Sequence, residues 1–91
     1  MLLLLVGLSA PPANSDDFND ARNAVRRDII TIRNDEARYK ALQHKKNDQL
    51  RHGDFTHARG TQERIDYARL DLKRDTALLT TDRHALARLR R

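Results

Sequence analysis

IDYARLDLKRDTALLTTDRHALARL, residues 65–89, repeats FNDARNAVRRDIITIRNDEARYKAL, residues 18–42, at a fixed offset of 47. Ala68, Arg69, Leu72, Lys73, Arg74, Asp75, Leu79 and Asp82 in the later copy stand where Ala21, Arg22, Val25, Arg26, Arg27, Asp28, Ile32 and Asp35 stand in the earlier one. In both copies a large apolar residue recurs every seven: Phe18, Val25, Ile32 and Tyr39, then Ile65, Leu72, Leu79 and Leu86. With these at position a of a heptad, position d reads Ala, Asp, Asp, Leu twice, through Ala21, Asp28, Asp35, Leu42 and Ala68, Asp75, Asp82, Leu89. A sevenfold apolar repeat is the signature of helices that pack along one seam. The sequence therefore predicts an all-α protein, an antiparallel two-helix hairpin of coiled-coil type.

The punctuation agrees. Asn14 or Ser15 can cap a first helix, with Asp16, Asp17 and Asp20 placing negative charge at its positive end. Gly53 ends that helix, because a glycine accepts the left-handed conformation that closes helix ends. Asp54 or Thr56 can open the second helix, and Gly60 is expected to delay its regular part to Thr61. The expected bounds are about 16–52 and 55–90 with the turn at 53–54, each helix spanning roughly 50–55 Å at about 1.5 Å per residue.

A turn centred on Gly53 and Asp54 places residues whose numbers sum to 107 opposite one another. Under that register every a position meets a d position: Val25 with Asp82, Asp28 with Leu79, Ile32 with Asp75, and Asp35 with Leu72. On the flanks Glu36 lies toward Arg69 and Arg38 toward Asp71. Asp28, Asp75 and Asp82 have no Lys or Arg three or four residues away on their own helix, so the expected partners cross the seam, Arg83 for Asp28 and Arg22 for Asp82. Asp75 is left without one. Four seam layers that each bury an Asp against an aliphatic side chain sacrifice stability but penalise slipped registers.

The chain has 91 residues, is 38% apolar, 4% aromatic and 34% charged, and carries a formal net charge of +5. That is one domain at most, with too little apolar material for an ordinary globular core. Most charges alternate in sign, as on a solvated helix face. The cationic excess suits an anionic surface, and the cluster Arg83, Arg88, Arg90 and Arg91 lies where cations also complement the helix dipole. With few aromatics to stack on bases, no nucleic acid is expected as a partner. There is no cysteine.

All the charged residues follow Ser15. MLLLLVGLSA, residues 1–10, is shorter than the roughly 20 residues that span a bilayer, and Ala13, Asn14 and Ser15 are small residues of the kind a signal peptidase accepts. Residues 1–15 are therefore expected to be a signal peptide and 16–91 the mature hairpin, periplasmic or secreted, with no transmembrane helix. No Lys or Arg precedes the leucines, as it does in the usual leader; a membrane-dipping anchor or a packed apolar tail are the alternatives.

His52, Asp54 and His57 in the turn, with His44 two turns earlier, are weak candidates for holding zinc, copper or nickel; solvated turn histidines are the simpler reading, and no cofactor is expected. Paired carboxylates can act as acid and base only in a dry pocket, which two thin helices do not enclose, so no enzyme is expected. Ile29, Ile30, Leu70, Ala77 and Leu78 lie off the seam and are available for a protein partner or for self-association into a four-helix bundle.

Leu79, Thr80, Thr81, Asp82 and Arg83 resemble the LTxxQ motif of small periplasmic stress chaperones with helical folds. The resemblance covers five positions of one copy, and Arg83 stands where the family has glutamine. It implies an envelope chaperone that holds unfolded chains. The expected role is thus a small exported helical interaction or structural protein of the bacterial cell envelope; a stress-type chaperone, or a protein that binds anionic lipid or polyanions, is the alternative.

Overall fold

The structure, a computed structural model, describes residues 15–90, which form two helices, α1 (Ser15–Arg51) and α2 (Phe55–Leu89), and no strand. The expected leader, the expected cap Asn14 and the terminal Arg91 lie outside the described residues. The helices pack against each other along their length as an antiparallel hairpin. Neither is long and apolar enough to cross a membrane.

Gly53 closes α1 as its position predicts. Its φ is +72°, its N–H donates to the Leu50 carbonyl at 3.1 Å, and the Asp54 N–H donates to the Gln49 carbonyl at 2.8 Å. This pair of bonds is the Schellman arrangement, which satisfies two carbonyls that the helix end would otherwise orphan. Asp54 caps α2 by accepting from the His57 N–H at 3.3 Å. Gly60 does not delay the helix, which is regular from Phe55. Ala58 and Thr61 on either side of it are buried, and their packing outweighs a glycine penalty of about 1 kcal/mol.

The heptad seam is the buried face. On α2 the buried residues are Ala58, Thr61, Ile65, Ala68, Asp75 and Leu86, with Leu72, Leu79, Asp82 and Leu89 half-buried between and beyond them. On α1 the a and d residues Phe18, Ala21, Val25, Ile32, Asp35, Tyr39 and Leu42 are half-buried and Asp28 is buried. Only four apolar side chains among the described residues, Ala58, Ile65, Ala68 and Leu86, are buried, and two of them are alanines. Burial of that extent is small for helices of 37 and 35 residues.

The side-chain pairing differs from the expected one. Asp28 faces Asp82, Asp35 faces Asp75, and the Thr61 hydroxyl donates to Gln49 Oε1 at 2.7 Å. Each of these pairs sums to 110 rather than 107, so d meets d. The reason is the lean of helical side chains toward the N-terminus of their own helix: in an antiparallel pair the two leans are opposite in direction, and side chains meet at a number sum higher than that of the backbone levels.

Combining an offset of 47 with a pairing sum of 110 gives the hairpin an approximate twofold axis. The axis exchanges Asp28 with Asp75 and Asp82 with Asp35, so the two carboxyl pairs are one arrangement occurring twice. Ile32 and Leu79, equivalent positions of the two copies, share the level between the pairs.

Candidate functional site

The least ordinary chemistry in the molecule is the two facing carboxyl pairs. Asp28 is 8% exposed and Asp75 7%, while Asp35 and Asp82 are half-buried. Two ionised carboxylates have no proton to share, and in that state Asp28 Oδ2 and Asp35 Oδ2 are buried without a donor. A buried acceptor with no donor costs on the order of 1–3 kcal/mol, and more when charged. One proton per pair removes the deficit, because the protonated carboxyl donates to the carboxylate across the seam.

The acidities follow this geometry. Burial pushes the Asp28 carboxyl up to about 6 from an ordinary 3.8, with the hydrogen bond to Asp82 and the negative charge of Asp82 adding to the effect and Arg27 opposing it. Asp35 is also raised, first by its hydrogen bond to Asp75, then by burial and by the charge of Asp75. Asp75 moves the other way. Arg74 Nε donates to its Oδ1 at 3.1 Å, which together with the bond from Asp35 holds Asp75 below the usual carboxylate value. When this pair holds a proton, Asp35 therefore carries it and Asp75 keeps the charge.

The expected cross-seam cations are not the partners. Among the described residues no ion pair joins Asp28 to Arg83 or Asp82 to Arg22, and the Arg22 guanidinium lies 5.6 Å from the centre of the Phe18 ring. Asp75, which sequence reasoning left alone, is bonded by its chain neighbour Arg74. Neighbours on a helix do not usually face each other, so a search three and four residues away overlooks the pair. Arg38 does reach Asp71, at 2.6 Å, as expected. Arg69 does not go to Glu36; it approaches Asp66 at 4.0 Å and the Tyr39 hydroxyl at 3.4 Å.

Toward the turn the seam becomes polar. Lys46 donates to Gln62, and Thr61 to Gln49, where Lys46, Gln49 and Thr61 occupy heptad positions and the buried Ala58 continues the apolar stripe on α2. The turn histidines have separate partners: His52 Nδ1 lies 2.7 Å from the Asp48 carbonyl, and His57 Nδ1 lies 2.7 Å from Asp54 Oδ2. His44 is exposed on α1. Among the described residues no three His, Asp or Glu side chains converge as a metal site.

Arg83, Arg88 and Arg90 are exposed near the end of α2, and Arg91 is outside the described residues. Of the off-seam apolar residues, Ile30, Leu70, Ala77 and Leu78 are exposed and Ile29 is half-buried. They are spread around the hairpin: Ile30, Leu70 and Ala77 on the outer faces, Ile29 on one flank and Leu78 on the other. One groove beside the seam is lined by Arg38, Leu42, Arg64, Tyr67 and Asp71, another by Gln43, Lys46, Gln62, Ile65 and Arg69; neither contains a member of the carboxyl pairs.

No protein-family model, curated protein or solved structure matches the chain.

Proposed function

We propose that this is a small non-enzymatic helical interaction protein of the bacterial cell envelope, acting through association of its hairpin with a second helical surface. The supporting observation is the imbalance of burial. Among the described residues four small to medium apolar side chains are buried, while Ile30, Leu50, Phe55, Tyr67, Leu70 and Leu78 are large, apolar and exposed. Large apolar residues outside the seam leave much of their surface in water in the hairpin itself and become useful when another helix covers them. Placement in the envelope rests on the apolar run before Ser15 and the small residues that follow it.

Helicity by circular dichroism and mass by sedimentation equilibrium, each across a hundredfold range of concentration, test the reading. Helicity that rises together with mass supports association as the working state. A chain that stays monomeric and fully helical throughout, and that suppresses aggregation of unfolded proteins in a salt-sensitive manner, overturns it in favour of a chaperone.

A further inference from the structure

We infer that the hairpin is a proton-operated clasp: the facing pairs Asp28–Asp82 and Asp35–Asp75 draw the helices together when each pair holds a proton and loosen them when both members of a pair are ionised. This goes beyond the interaction role proposed above and does not depend on it.

The geometry carries the inference. Both pairs lie in the seam, away from the turn, where the neighbouring a positions Val25, Ile32, Tyr39, Leu72, Leu79 and Leu86 offer no cation. Among the described residues no cation reaches Asp28 Oδ2 or Asp35 Oδ2, and a proton shared across each pair satisfies them. The turn end is closed by groups of another kind, the Schellman bonds, the Asp54 cap and the Thr61–Gln49 bond, none of which needs a carboxyl–carboxyl proton. The register matters as well. A slip of one heptad in either direction leaves one Asp pair facing and sets two other aspartates against Ala or Leu, whereas the observed register pairs all four.

The surrounding charges fix the sign. Across from Asp28 stands Asp82, with Asp75 one layer along α2 and Arg27 beside it on α1. Across from Asp35 stands Asp75, with Asp71 also on α2 and Arg38 on α1. Arg74 and Arg38 support Asp75. Arginines keep their charge throughout the useful range, so the groups that change are the carboxyls. Their raised members bind protons more tightly in the folded chain than in the unfolded one. The closed form therefore gains as pH falls through about 6 toward 3.8 and gains nothing further below that. For Asp28 alone, the folding constant rises about tenfold between pH 7 and pH 5, and Asp35 adds in the same direction.

The test compares the full chain with an Asp28→Asn, Asp35→Asn double variant, each unfolded thermally and in urea from pH 4.5 to 8. An asparagine amide donates to the facing carboxylate at every pH, which keeps the bond and removes the titration. The four histidines, including the exposed His84, are common to both chains, so the comparison isolates the two carboxyls. The expected result is a wild-type folding constant at least tenfold larger at pH 5 than at pH 7, relative to a variant that lacks this gain. Parallel pH profiles for the two chains overturn the inference. A second measurement on the wild-type chain needs no variant: the carboxyl carbons of Asp28 and Asp35, followed by NMR, should titrate above the ordinary carboxylate value of 3.8, with Asp28 near pH 6. Midpoints in the ordinary carboxylate range for both also overturn it.

Discussion

Replacing Asp28 by leucine should make the hairpin more stable at neutral pH. Asp28 is 8% exposed, so little solvent screens its charge. Its carboxyl is raised from 3.8 to about 6, and at about 1.36 kcal/mol per pKa unit its ionisation disfavours the folded chain by at most about 3 kcal/mol at pH 7. The sign is that of a raised acid: the stability it withholds above pH 6 is recovered as the carboxyl is protonated, fully so below 3.8. Leucine removes that cost and adds apolar burial to a layer beside Val25 and Ile32. Some strain is expected where a longer side chain enters, so a net gain of about 2 kcal/mol is reasonable. For a chain of this size that raises the thermal midpoint by roughly 8–16 °C. Circular dichroism melts at pH 7 and pH 4 are the assay, and the gain should be clearly smaller at pH 4, where the wild-type carboxyl is already neutral. A lower midpoint at pH 7, or an equal gain at both pH values, refutes the argument that charge burial dominates this layer. The replacement also removes part of what forbids heptad-shifted pairing, so a broader melt or a change of oligomeric state should accompany the higher midpoint.

Gly53→Ala isolates the turn: nothing lies within 4 Å of the added carbon and φ is +72°, so backbone conformation is the whole cost, and urea unfolding should show a loss of about 1 kcal/mol. Ile65→Ala removes the largest apolar contribution near the turn and should cost about 2–4 kcal/mol, enough to leave the chain partly unfolded at 25 °C by circular dichroism.

The helices were legible because their signals are local and agree with one another. The heptads specify the buried face, Gly53 supplies the left-handed closure, and Asp54 supplies the cap. The acidic character of the seam was legible for the same reason. What each aspartate faces was not, because side chains lean toward the N-terminus of their own helix and so meet across an antiparallel seam away from the backbone levels that the turn sets. That displacement brings Asp28 to Asp82 and Asp35 to Asp75 in place of four Asp–aliphatic layers, and the partner chemistry changes from a cross-seam arginine to a shared proton. Gly60 misleads in a different way: its intrinsic penalty is real, but the buried Ala58 and Thr61 outweigh it.

The approximate twofold axis has a consequence for half of the chain taken alone. A peptide carrying one copy of the repeat contains both kinds of rung, so it can serve as its own mate. Two such rods lying head to tail would bring residue 28 of each against residue 35 of the other, and residue 32 against itself. The covalent HGD link then contributes chiefly local concentration and alignment, and either half added as a separate peptide is a natural competitor for the intact hairpin.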